Sequence, residues 1–70
     1  MNPFKPDSIS GQVFARLMDG EEWRVMDLFA GLPVADPART LAHIRKQGDS
    51  GGTWAIRRVI GKPGTVQLIW

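Results

Sequence analysis

This 70-residue chain predicts a small α+β domain in which three helices pack on a two- or three-stranded antiparallel hairpin. Three observations carry the prediction. The segment from Asp36 to Gly48 holds start and stop signals around one two-sided helix. Upstream, Val13, Phe14, Leu17 and Met18 recur at the spacing of a single buried helical stripe. Beyond Thr53 the apolar period falls to two on both sides of Lys62-Pro63-Gly64, the pattern of a β-hairpin.

Composition bounds what such a domain can be. With 43% hydrophobic and 23% charged residues the chain is globular rather than disordered. Its length allows one domain with a small core, to which three Trp and three Phe bring volume. The absence of cysteine excludes disulfides and thiolate metal sites. The lone His43 has no carboxylate at a ligand spacing on its own helix, so no metal or cofactor is expected. No apolar run reaches the length of a membrane span, and Met1-Asn2-Pro3-Phe4-Lys5-Pro6 lacks a signal-peptide pattern. The expectation is a cytoplasmic protein with no membrane contact and no small-molecule effector.

The elements follow in order. Residues 1–7 contain two prolines and no periodicity, and predict a flexible arm ahead of a domain over residues 8–70. The first helix is expected from Ser8 to Asp19, with Gly20 ending it. Glu21-Glu22-Trp23-Arg24 fits either a helix start or a short extended piece. A second helix around Asp27–Ala30 offers Val25, Met26, Leu28 and Phe29 for burial, and Gly31-Leu32-Pro33 breaks it. Asp36 is a good N-cap, Pro37 suits the first helical position, and Gly48 fits the position just past the helix end. Lys46 in the last turn complements the helix dipole. Asp49-Ser50-Gly51-Gly52 reads as a flexible loop. In the first hairpin strand Trp54, Ile56 and Ile60 share one face while Ala55, Arg57 and Val59 share the other. Pro63 and Gly64 fit the two central places of a type II turn. Val66, Leu68 and Trp70 then align on one side of the second strand, and a lone hairpin of this size needs the helices to cover it.

Charge is distributed unevenly. Residues 1–35 hold three basic and five acidic residues, whereas residues 36–70 hold six basic and two acidic ones, so the halves carry −2 and +4. That asymmetry favours a basic face for a polyanion. On the third helix Arg39, Thr40, His43, Lys46 and Gln47 fill one polar arc, the side-chain set that reads bases in a major groove. A solvated surface helix presents the same kind of face. Two short helices joined by a turn, the second with this outer face, make a helix-turn-helix pattern.

Three elements together resemble the small winged helix-turn-helix domains of many short phage and prophage proteins. They are Phe14-Ala15-Arg16-Leu17-Met18-Asp19-Gly20, the run Arg39–Gly48, and the alternating hairpin Trp54–Trp70. The likeness covers about residues 9–70 and lies in the order and spacing of the elements. It implies that a short strand at Glu22-Trp23-Arg24 pairs with the hairpin. It also implies double-stranded DNA binding by a small transcriptional regulator, with the third helix in the major groove and the hairpin wing on the backbone. The chain departs from the pattern at Asp49-Ser50-Gly51-Gly52-Thr53, where such domains pass almost directly into the first strand.

On this reading the DNA-binding residues are Arg39, Thr40, His43, Lys46, Gln47, Arg57 and Lys62. Strand parity favours Arg57, opposite the apolar set, over Arg58, which shares a face with Ile56. Arg57 and Lys62 also fit ordinary edge-strand charges. Arg45 lies in the apolar arc of its helix and reads as structural, its guanidinium reaching an acid such as Asp27 or a helix C-terminus. Trp23, Trp54 and Trp70 read as core or hairpin cover. One small domain has a small footprint, so useful specificity calls for a homodimer on repeated half-sites. The alternative is a protein–protein interaction module on the same scaffold, for example a phage-encoded inhibitor of a host protein, using Glu21, Glu22 and Asp27. An enzyme is not expected: no nucleophile–base order, metal spacing or phosphate-cradling loop is present.

Overall fold

Two of the three helices begin at a residue whose side chain satisfies a free amide. The computed structural model describes residues 2–70. Ser8 caps α1 (Ile9–Leu17), its Oγ accepting from Gly11 N at 3.0 Å and donating to Lys5 O at 2.7 Å. Asp36 caps α3 (Pro37–Gly51) through Arg39 N at 3.1 Å, with Pro37 in the first turn. Between them lie β1 (Trp23–Arg24) and the single-turn α2 (Val25–Leu28), and after them β2 (Ala55–Arg58) and β3 (Thr65–Ile69). The strands form one antiparallel sheet in the order β1-β3-β2. The domain is therefore α+β, three helices and a three-stranded antiparallel sheet, with Trp23 and Arg24 pairing to Val66 and Thr65.

The core lies between α1 and the sheet. Val13, Phe14 and Leu17 of α1 are fully buried, against Leu28, Phe29 and Ile44 from the helical side. Ile56, Val66 and Leu68 close it from the sheet. Each such side chain contributes roughly 1.5–3 kcal/mol by leaving water. Phe14 is the hub of an aromatic group, its ring centroid 4.8 Å from Trp54, 5.8 Å from Phe4 and 6.3 Å from Trp70. The proline-containing arm is in contact with this group: Phe4 packs on the core, and Asn2 Nδ2 donates to Gly11 O at 2.8 Å.

Several boundaries differ from expectation. α1 stops at Leu17, so Met18 follows the helix and lies at the surface instead of in the stripe. Met26 is 82% exposed, because one turn of α2 presents only one face inward and Leu28 takes it. α3 continues one turn past Gly48 and ends at Gly52, whose φ is 71° and whose N–H donates to Gly48 O. Gly48 is thus a helical residue buried against Trp54. Asp49, Ser50 and Gly51 are helical instead of a loop, which leaves only Gly52, Thr53 and Trp54 before β2. Ile60 was placed with Trp54 and Ile56 on the inner face, yet β2 ends at Arg58 and Ile60 sits in the following turn, 97% exposed. The Lys62–Thr65 turn is as expected, with Thr65 N donating to Lys62 O and Gly64 at φ 75°.

Ser8 joins α1 to the segment before it through two hydrogen bonds. Ser8→Ala is expected to cost about 1 kcal/mol in a urea titration, as loss of an N-cap does. An unchanged midpoint would show that the cap contributes nothing here.

Candidate functional site

The side chains of α3 divide into three strips. Ile44 and Gly48 face the core. Arg39, His43, Lys46 and Gln47 form an exposed ridge, since steps of three, four and seven residues return to one side of a helix. Leu41 and Arg45, both half-buried, slope from that ridge toward the hairpin, with Ala38 and Ala42 beside them.

That slope is one wall of a groove of about 670 Å³ between α3 and the β2–β3 hairpin. Its floor is apolar, formed by residues such as Val25, Leu41, Val59 and Val66. Its rim carries Arg45 and Lys46 from α3 and Arg58 and Lys62 from the hairpin. Asp49 is the sole carboxylate in the lining, so four cations and one anion leave a net charge of +3. The hairpin register explains why Arg58 is there. Arg58 pairs across with Val66 and Ile56 with Leu68, all on the face turned to α3.

Arg57 falls on the other face, as strand parity predicts, paired with Gln67 and away from this groove. Its Nη2 donates to Gln67 Oε1 at 3.0 Å, and Gln67 Nε2 donates to Gly20 O at 2.8 Å. These bonds tie the back of the sheet to the turn after α1. Thr40 also leaves the ridge: with Arg39 and His43 it lines a separate shallow cleft against Ser8, Ile9 and Ser10 at the start of α1. Arg39 and His43 therefore border both the ridge and that cleft.

The structure thus gathers Lys46 and Lys62 in the groove and sets Arg39, His43 and Gln47 along the ridge beside it. Arg45 and Arg58, outside the DNA-binding set read from the sequence, also line the groove. For Arg58 the signal was its parity with Ile56, since a long side chain on the inner face near a strand end reaches past the core. Among the described residues Arg45 has no carboxylate within ion-pair reach; Asp27, the acid the sequence suggested for it, pairs with Arg24 at 3.4 Å. Arg16 fills the helix-end role instead, its Nη1 donating to Leu28 O at 2.8 Å and Asp27 O at 3.3 Å.

Among the described residues the ion pairs are Arg24–Asp27 and Lys62–Glu22, so Arg39, Arg45, Lys46 and Arg58 are free to meet an anionic ligand. The Lys62–Glu22 pair, 2.6 Å long, is partly solvated, Lys62 being the more exposed partner. A pair of this kind contributes at most about 1 kcal/mol, so Lys62 can exchange its partner readily. Among the described residues no group of His, Cys, Asp and Glu could hold a metal ion. No helix among them is long and apolar enough to cross a membrane. No protein-family model, curated protein or solved structure matches this chain.

Proposed function

We propose that this chain is a winged helix-turn-helix domain that binds double-stranded DNA, a small cytoplasmic regulator. The element order α1-β1-α2-α3-β2-β3 and the sheet order β1-β3-β2 support the winged-helix reading. The observation that carries the function is the groove, because cations from two separate elements line one channel beside an exposed polar helix ridge. At 15 residues α3 is about 22 Å long, enough to lie across a major groove. In this arrangement Arg39, His43 and Gln47 approach base edges. One DNA strand runs through the groove, its phosphates meeting Arg45, Lys46, Arg58 and Lys62 and its deoxyriboses resting on the apolar floor. Two copies on repeated half-sites would supply the specificity that one small footprint lacks.

Fluorescence anisotropy on a random-sequence duplex tests this. With four phosphates neutralised, affinity is expected to fall about 100-fold between about 50 and 200 mM salt. A folded protein that binds no duplex at the lower salt overturns the reading. The apolar floor favours one competitor, an acidic amphipathic segment of a protein partner seated in the same groove. Such a complex keeps much of its affinity at high salt, because apolar burial is not screened.

A further inference from the structure

Ile60 is the most exposed large hydrophobic side chain among the described residues, and backbone hydrogen bonds hold the turn that carries it. Lys62 N donates to Val59 O at 3.2 Å and Thr65 N donates to Lys62 O at 3.1 Å, so two tight turns follow one another. Gly61, at φ 82°, holds the third place of the first turn, in the left-handed region a type II turn requires. Val59 N donates to Thr65 O at 3.0 Å and closes the loop at its base. Ile60 is left at the outer corner, projecting from a backbone held by three hydrogen bonds.

An isoleucine in that place contributes almost nothing to folding, and single exposed apolar residues are common. What distinguishes this one is its surroundings. The loop from Val59 to Gly64 contains no acid of its own, and the one carboxylate paired with it is Glu22, on Lys62. Arg58 precedes the tip and Lys62 follows it, and both line the groove beside α3. A polyanion held in that groove is brought against the tip, with a cation on either side of the apolar side chain.

We propose that Ile60 is a wedge that enters the minor groove next to the α3 contact and partly unstacks one base step. The inference rests on the DNA-binding reading above. Isoleucine is among the side chains able to insert between base pairs, and unstacking costs least at TA and CA steps. Burial of Ile60, together with the closer approach of Arg58 and Lys62 to the flanking phosphates, offsets that cost. The consequence is a preference for flexible steps where the hairpin lands, with no hydrogen bond to any base.

The test places 2-aminopurine beside a TA step in a short duplex and compares wild type, Ile60→Ala and Arg58→Ala. Saturating wild-type protein is expected to raise the fluorescence, since the probe brightens when unstacked. Ile60→Ala is expected to bind roughly three- to tenfold more weakly with the same salt slope, and to give no rise at saturation. Arg58→Ala should lower the salt slope by about one and keep the rise at saturation. Because Ile60 packs on nothing, its variant should melt with the wild type. If wild type binds without brightening, or Ile60→Ala keeps the rise, the wedge is overturned and groove binding stands. If wild type binds no duplex at any salt, both inferences fall.

Discussion

Replacing Gly48 by alanine is expected to lower the thermal midpoint by more than about 10 °C, whereas the same change at Gly51 is expected to raise it slightly. Both glycines lie in α3, where alanine is worth roughly 1 kcal/mol over glycine by propensity alone. Their surroundings differ. A Cβ at Gly51 meets nothing within 4 Å. At Gly48 it falls 2.5 Å and 2.6 Å from two ring carbons of Trp54 and 2.9 Å from the Trp54 carbonyl oxygen. The ring cannot swing aside freely, since Phe14 packs against it at 4.8 Å and Phe4 at 6.4 Å. The carbonyl belongs to the chain entering β2, so moving it shifts the strand. Overpacking against both a ring and a backbone carbonyl costs about 3 kcal/mol, the upper end of the usual range, which exceeds the propensity gain and leaves a net loss of about 2 kcal/mol. For a domain of this size that is a large share of the total stability. Urea titrations of the two variants check it, with opposite shifts of the midpoint at unchanged slope. A Gly48→Ala protein more stable than wild type would mean that α3 does not approach Trp54 this closely.

Gly48 also shows where sequence reasoning reaches its limit. Asp36, Pro37 and Pro63-Gly64 act through atoms a few residues away, so their roles were visible in the chain itself. A glycine near a helix end reads as a stop on local grounds alone. Its role here depends on an indole six residues later that returns across the helix, and no local pattern records that contact. Ile60 failed for a related reason. Alternation was carried two residues too far, although Gly61 marked the turn that ends it. Met18 and Met26 have apolar spacing but sit past the end of one short helix and on the wrong side of another.

The candidate site was legible on α3 and half legible on the hairpin. Arg39, His43, Lys46 and Gln47 follow from helical geometry, which depends little on tertiary context. On the hairpin the choice between Arg57 and Arg58 turned on which sheet face the ligand meets. An inner-face arginine was treated as a core problem, yet the inner face extends beyond the core and opens into the groove. Arg45 reads as structural from its place in the apolar arc, and it is indeed half-buried there, but it also lines the groove.

Charge reversal at the groove is expected to separate these two faces sharply. Lys46→Glu with Arg58→Glu removes two cations from opposite walls and adds two anions, and duplex affinity should fall about 100-fold at about 100 mM salt. The salt slope should drop by about two in the same protein, since two fewer counterions are displaced. Arg57→Glu changes the formal charge by the same two units as either single reversal, but on the back of the sheet. It should lower affinity by less than about threefold, the long-range part of the field that salt screens over about 10 Å. All three side chains are exposed, so the variants should remain folded, which circular dichroism verifies. If Arg57→Glu weakened binding as much as Arg58→Glu, the ligand would have to contact the back of the sheet. The groove would then be incidental to binding. If neither reversal mattered while the wild type bound DNA, the contact would lie with Arg39 and His43 at the cleft beside α1. A loss confined to Lys46 and Arg58 is what a strand held between helix and hairpin requires, because only there do cations from both elements face one phosphate chain.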